Sequence, residues 1–251
     1  MERPVWRVAA ASVAGSRHVR QGTPGQDAHA WVILPNGAFA AAVADGAGSA
    51  ELGGTGAKVA ASAAIRALEN ATADEGWKVV LTQALTQARE AVFAEAKALG
   101  RDARDLATTL IAVIASPDWV AAAQIGDGAS VAETEGGIVK LTAPVLGEYI
   151  NETTFLVTPN AVETAQFHFL DAKCTGVAAL SDGLQMLALQ LPSGEPHAPF
   201  FRPVLQFAAD AEDPDKASAE LGAWLSSPRV AAKTDDDLTL VLARVAPRIE
   251  K

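Results

Sequence analysis

Aspartate repeatedly stands where an apolar run ends or begins in this chain: AVADGAG (Ala42–Gly48), QIGDGAS (Gln124–Ser130), AALSDGL (Ala178–Leu184) and TDDDLTLVL (Thr234–Leu242). Runs of this length and β-branched content read as buried strands. A carboxylate at the end of such a strand is held on a rigid element, and a neighbouring glycine lets another group approach closely. Several carboxylates can crowd one end of a sheet only when a cation offsets their repulsion. The pattern points to a divalent-metal site built from hard oxygen ligands.

Other chemistries are excluded residue by residue. There is no HExxH, and His18, His29, His168 and His197 lack ligand-like spacing. The stretch Gly53–Val59 fails as a phosphate loop, with Ala57 where glycine is needed and Val59 where Ser or Thr is needed. No twelve-residue loop carries the oxygen ligands of an EF-hand, and no G-x-S-x-G elbow occurs. A single cysteine, Cys174, excludes an intramolecular disulfide framework and a multi-cysteine zinc site; its apolar setting suggests a buried thiol. A formal net charge of -10 disfavours a nonspecific grip on nucleic acid or an anionic membrane, since both need clustered Lys and Arg. The N-terminus lacks a long apolar h-region, and the run Leu110–Ala115 is too short to span a bilayer, so the expectation is a soluble cytoplasmic protein.

The spacing predicts strands over Val5–Val13, Ala28–Leu34 and Phe39–Ala44, then a helix of small residues over Leu52–Leu68. Trp77, Leu81, Leu85, Ala88, Val92, Ala96 and Leu99 recur at helical steps, with Gly100 placed to end that helix. Ala107–Ala115 and Trp119–Ile125 form an expected hairpin, as do Ser130–Glu133 and Gly137–Leu141. Gly176–Leu180 and Leu238–Val245 are the last strands and Lys216–Leu225 a late helix; Leu191–Pro203 reads as an insertion or surface loop. Two consecutive helices among mostly antiparallel strands do not fit a doubly wound fold. The expected class is α+β: two mainly antiparallel sheets face to face, with helices outside. No linker divides residues 1–251, so a single domain is expected.

Each Asp-Gly alone is weak, because the dipeptide also favours hairpin tips. For Asp127-Gly128 the two readings are balanced. Asp45 and Asp182 follow buried strands and precede helix-like segments, which favours function.

Taken in order, these motifs resemble the metal-dependent protein phosphatases of the protein phosphatase 2C type, over nearly the whole chain. GTPGQDAHA (Gly22–Ala30) resembles the family's first acidic motif, VADGAG the second and LATTLIAVI (Leu106–Ile114) its threonine-containing strand. QIGDGAS resembles the Gly-Asp motif, ALSDGL the late Ser-Asp-Gly, and DDLTLVLARV (Asp236–Val245) the terminal strand. GEYINETTF (Gly147–Phe155) is similar to a segment of a bacterial branch. The resemblance implies a four-layer α-β-β-α sandwich and a serine/threonine phosphatase using two magnesium or manganese ions. It implies that Asp45 bridges both ions, that the Gly46 carbonyl joins one, and that Asp182 and Asp236 ligate the other. Asp27 would help hold metal-bound waters, Asp127 would contact a third, looser ion, and Asp237 would order the ligands. Such chemistry needs no serine or cysteine nucleophile: cations lower the pKa of a water and neutralise phosphoryl oxygens, leaving positioning and electrostatics to the protein.

Three departures from the family pattern stand out. Gln26 replaces an acidic residue before the first-motif aspartate, and Ala47-Gly48 occupies a stretch where many eukaryotic members carry histidine. The frequent phosphate-binding arginine position is Gly22, leaving Arg17, Arg20 and, less well suited, His18 as candidates, unless they form only a solvated basic turn. The implied partner is a phosphoserine or phosphothreonine protein, with a cognate kinase. The rival readings are a catalytically silent binding domain of the same fold and a phosphatase of small metabolites.

Overall fold

The computed structural model describes residues 5–71, 76–144 and 153–246. The first half of the chain runs β1 (Trp6–Val13), α1 (Ser16–Gln21), β2 (Asp27–Ile33), β3 (Phe39–Asp45), α2 (Gly53–Glu69), α3 (Trp77–Leu99), β4 (Leu110–Ser116) and β5 (Trp119–Ile125). There follow β6 (Ala129–Thr134), β7 (Gly137–Thr142), β8 (Gln166–Leu170), β9 (Cys174–Leu180), α4 (Gln185–Ala188), β10 (Leu189–Gln190) and β11 (Glu195–Pro196). The chain closes with α5 (Ala198–Asp210), α6 (Pro214–Leu225), α7 (Pro228–Ala231) and β12 (Leu238–Val245).

One sheet has the strand order β1-β12-β9-β6-β7, the other β2-β3-β4-β5-β8, and β10 and β11 make a small separate ribbon. All pairings are antiparallel. Side-chain alternation along the strands creates three apolar layers. In β3, Phe39, Ala41 and Val43 join Ile111, Val113, Ala179 and Val241 between the sheets. The intervening Ala40, Ala42 and Ala44 face α2 and α3, whose Ala57, Ala60, Ala61, Ala64, Leu81 and Leu85 cover that sheet. On the other side Leu238, Leu240 and Leu242 of β12 pack under α5 and α6 through Phe201, Leu205, Ala208 and Leu221. The result is the expected α-β-β-α sandwich. Alanine at so many contacts lets α2 lie close to the β2–β3 surface.

The turn chemistry agrees with the sequence. Ser116 pairs with Trp119 and Thr134 with Gly137, closing both expected hairpins. Gly100 ends α3 at φ 66, a left-handed conformation that favours glycine. Cys174 is buried.

Two readings need correction. Leu191–Pro203 is not simply a loop: it contains β11 and the start of α5. Pro199 sits in the first turn, where its missing N–H costs nothing, and Pro203 is exposed on the outer face of the helix. Phe201, Val204, Leu205 and Ala208 are buried at helical spacing beneath it. The Arg17–Arg20 stretch is likewise no irregular turn but helix α1, ended by Gly22 at φ 66. Among the described residues, no helix is long and apolar enough to cross a membrane.

Candidate metal centre

The site forms where the apolar layer between the sheets runs out. Continuing the inward alternation of β3 past Val43 reaches Asp45, and that of β2 reaches Asp27, its register partner. On the facing sheet the same alternation brings Ser181 after Ala179 and Asp237 before Thr239. Polar side chains therefore replace the core at one end of both sheets.

The backbone of Asp45 is fixed from both directions. Its N–H donates to Thr109 Oγ1 at 3.0 Å. Its carbonyl accepts from the Thr109 N–H at 2.8 Å and from Thr108 Oγ1 at 2.9 Å. Beyond it the chain passes so close to α2 that a Cβ on Gly46 would lie 2.3 Å from the Gly53 carbonyl carbon. A Cβ on Gly183, next to Asp182, would lie 2.2 Å from the Asp237 carbonyl oxygen. Both glycines of the two Asp-Gly pairs are thus required by close backbone approach, not by a hairpin tip.

Asp27 lies behind the cleft, buried, and accepts a 2.6 Å hydrogen bond from Ser181 Oγ. Ser181 Oγ in turn accepts from the Thr239 N–H at 2.9 Å, which ties β2 to the opposite sheet. Asp45, Gly46, Asp127, Asp182 and Asp236 line one cavity of about 160 Å³, together with Arg17, His18, Gln26, Thr109, Thr153, Phe155 and Asp237. Thr153 Oγ1 donates to Asp127 Oδ2 at 2.8 Å, and Gln185 Nε2 donates to the Asp127 carbonyl at 2.7 Å. Of the GEYINETTF segment, residues 147–152 lie outside the described residues; Thr153 and Phe155 are its contribution to the cleft wall.

Crowded carboxyls hold protons tightly. Burial, with the Asp27 and Asp182 charges beside it, pushes Asp45 up to about 11. Burial lifts Asp27 to about 7 against the opposing hydrogen bonds of Ser181 and Thr239. Burial also lifts Asp182 to about 6, with the Asp127 and Asp236 charges adding to it. The Asp45 and Asp182 carboxyls face each other closely enough that their charges interact, which helps to hold Asp45 above the ordinary carboxylate range.

Do these residues fit divalent ions? Among the described residues, no three His, Cys, Asp or Glu side chains are placed together so as to hold a metal ion as they stand. The fit rests instead on donor chemistry and on unpaired atoms. Asp27 Oδ1, Asp182 Oδ1 and Gln26 Oε1 are buried without a hydrogen-bond partner. Orphaned oxygens of this kind cost free energy unless something binds them. All are hard donors, Asp182 and Gln26 on a carboxylate-rich wall and Asp27 directly behind it, as magnesium or manganese requires. Gln26 can accept from a water at that place because its Nε2 is already given to the Ala50 carbonyl at 3.3 Å.

The three basic candidates separate cleanly. Arg17 enters the cleft: its Nη2 lies 3.3 Å from Asp236 Oδ1, and a Cβ on Gly48 would lie 3.3 Å from the same nitrogen. Its guanidinium therefore fills the space beside Ala47-Gly48. Arg20 does not line the cleft; it donates to Ser16 Oγ at 3.0 Å and lies 3.8 Å from Asp235, both exposed. His18 lines the cleft, but its Nδ1 is 2.8 Å from Asp237 Oδ1. Asp237 is buried and also accepts from the Gly15 N–H at 2.7 Å and the Gln26 N–H at 2.6 Å. One carboxylate thus pins both ends of the segment that carries Arg17, a role that leaves it little capacity as a ligand. Nothing in the sequence signals this contact, because it joins residues 219 positions apart.

Comparisons with known proteins agree with this architecture. The sequence profile of the family described as Protein phosphatase 2C matches residues 14–226. Serine/threonine-protein phosphatase 3 of Escherichia coli (strain K12) is 37% identical over 247 residues, covering 95% of this chain and 98% of that protein. A bacterial serine phosphatase superposes with a TM-score of 0.66 at 14% identity, covering 96% of this chain and 99% of that one. The catalytic domain of the serine threonine protein phosphatase PstP, solved in complex with two manganese ions, gives a TM-score of 0.62 at 17% identity, covering 97% and 99%. With its six motifs in order and its sandwich closed over them, the chain belongs to the protein phosphatase 2C family.

Proposed function

We propose that this chain is a serine/threonine phosphatase whose aspartate cleft hydrolyses phosphoserine and phosphothreonine in protein substrates, using two divalent cations, magnesium or manganese. The observation that carries this reading is the convergence of Asp45, Asp182 and Asp236 on one cleft backed by the unpaired buried oxygens of Asp27 and Asp182. Asp45, Asp182, Asp236 and the Gly46 carbonyl would hold the ions, and Asp127 a looser third. Bound cations of this type activate water and neutralise phosphoryl oxygens. Asp27 and Gln26 orient water through their free oxygens. Arg17 offers a guanidinium to the phosphate, taking the place that Gly22 cannot fill. Family membership and the name of the Escherichia coli relative support a protein substrate. A silent binding domain would be signalled by lost ligands, and Asp45, Asp182 and Asp236 are all retained. The chain would act as one catalytic domain, opposed by a kinase that phosphorylates the same substrates.

The test is manganese-dependent release of phosphate from a phosphothreonine peptide and from an aryl phosphate. Asp45→Asn should lower the rate by a factor on the order of 10² or more, because it removes charge from both ions. Wild-type-like turnover by that variant at limiting metal would refute the bridging role.

A further inference from the structure

A second concavity lies on the outer face of the sandwich, among α5, α6 and α7. It has a volume of about 590 Å³ and is walled by Phe200, Val204, Phe207, Leu221, Trp224 and Val230. Phe200 and Trp224 meet at 6.2 Å between ring centroids, and Trp224 stays 37% exposed although it lies against an apolar wall. A groove of this size with aromatic walls and few polar groups has the features of a binding site. The charges on its rim narrow the occupant. Arg229 and Lys233 line it, and among the described residues neither side chain has an ion-pair or hydrogen-bond partner. The carboxylate on the rim, Glu220, lies 3.9 Å from Lys216 of its own helix. Together Arg229 and Lys233 give the apolar trough a locally cationic rim on a chain of net charge -10. They complement an acidic partner.

The groove is also joined to the catalytic cleft by covalent structure. Lys233 precedes Asp236 by three residues, and Leu187 follows Asp182 by five. The segments that carry Asp182 and Asp236 thus run on into the walls of the groove. Pro203, another wall residue, has no N–H to give to the Pro199 carbonyl, so a wall turn keeps an acceptor without its ordinary helical donor.

We infer that the α5–α6–α7 groove docks an acidic, apolar peptide segment of a protein partner, seating leucine or phenylalanine side chains against Phe200 and Trp224 and carboxylates against Arg229 and Lys233. Docking of this kind recruits a protein beside the cleft without touching the reacting phosphate. The binding claim stands apart from the phosphatase reading, which fails or holds on aryl phosphate hydrolysis alone.

The experiment is fluorescence anisotropy of a short labelled peptide with leucine and phenylalanine at helical spacing and glutamates between them, titrated with the full chain. Saturable binding is expected, weakened about tenfold or more in the double variant R229E/K233E, as for removal of close charge pairs. Both residues are exposed, so the variant should keep wild-type aryl phosphate hydrolysis, which reports its folding. A Trp224→Ser variant should weaken binding independently of charge. A peptide with lysine for each glutamate should fail to bind. The inference is overturned if the acidic peptide does not saturate, if the lysine peptide binds equally, or if R229E/K233E binds as well as wild type. Competition by dodecanoate in a groove that ignores the peptide would overturn it too, assigning the site to small amphiphiles.

Discussion

Asp27 and Asp45 oppose each other on the last rung of the β2–β3 ladder, so two carboxylates share one face of the sheet at its end. Like charges placed directly opposite destabilise a strand pair. Here the pair is retained, Asp27 buried and Asp45 half-buried, with Asp45 held near 11 and Asp27 near 7. The fold spends stability at this rung to hold a charge-demanding site.

That arrangement fixes a pH dependence for the metal-free protein. The folded values of Asp27 and Asp182, about 7 and about 6, lie above the ordinary 3.8, so the folded state binds more protons than the unfolded one. Their contribution is fully present below about 3.8 and is lost as pH rises through 6 and 7. Thermal melts in chelator should therefore fall in midpoint across that window, with a shallower fall in Asp27→Asn. Added manganese should reverse the fall at neutral pH and release protons as it binds. A midpoint that rises from pH 4 to 7, or one insensitive to Asp27→Asn, would contradict the assignment.

Arg17 and Arg20 should differ. Arg17→Ala should raise KM for phosphate esters while metal affinity stays unchanged, and Arg17→Lys should recover only part of the loss, because an ammonium lacks the bidentate fork. Arg20→Ala should behave as wild type, since its side chain lies outside the cleft. Steady-state kinetics on an aryl phosphate decides between them.

Asp237 should prove a positioning residue. Removing its carboxylate strands the Gly15 and Gln26 N–H groups, at about 1–3 kcal/mol for each unsatisfied donor. Asp237→Ala should lower stability in denaturant titrations and raise KM through Arg17, while Asp237→Asn restores part of both. Loss of tight manganese binding by Asp237→Asn, with stability intact, would make it a ligand instead.

Asp127 separates from the core aspartates. If it serves only a looser ion, Asp127→Ala should keep two-ion binding in calorimetry yet lose turnover. Thr153→Val, which removes the hydroxyl donor to Asp127, should show a milder form of the same change. Loss of both tight sites would make Asp127 a core ligand, and unchanged activity would restore the hairpin-turn reading.

Much of this was legible in the sequence because it is written in local periodicity. The apolar runs Phe39–Ala44 and Leu238–Val245 identified strands, and the helical steps from Trp77 to Leu99 identified α3. The aspartates were legible because each stands at a strand end. The start of α5 was not, because Pro199 and Pro203 mask a helix whose stability comes from burying Phe201 and Leu205 against a sheet. Nor was the division of labour among Arg17, His18 and Arg20. Adjacent residues on a short helix point in different directions, and only the fold brings Asp235, Asp236 and Asp237 to meet them. Edge strand β8, half-buried and lacking clean alternation, left no pattern to read.

The central claim is that Asp45 stands between two divalent ions at the end of both sheets. Crystals grown with manganese and measured at its absorption edge address it directly. The account predicts two anomalous peaks in the cleft, both within coordination distance of Asp45, with Asp182 and Asp236 on one of them. Peaks absent from the cleft, or coordinated without Asp45, would contradict it.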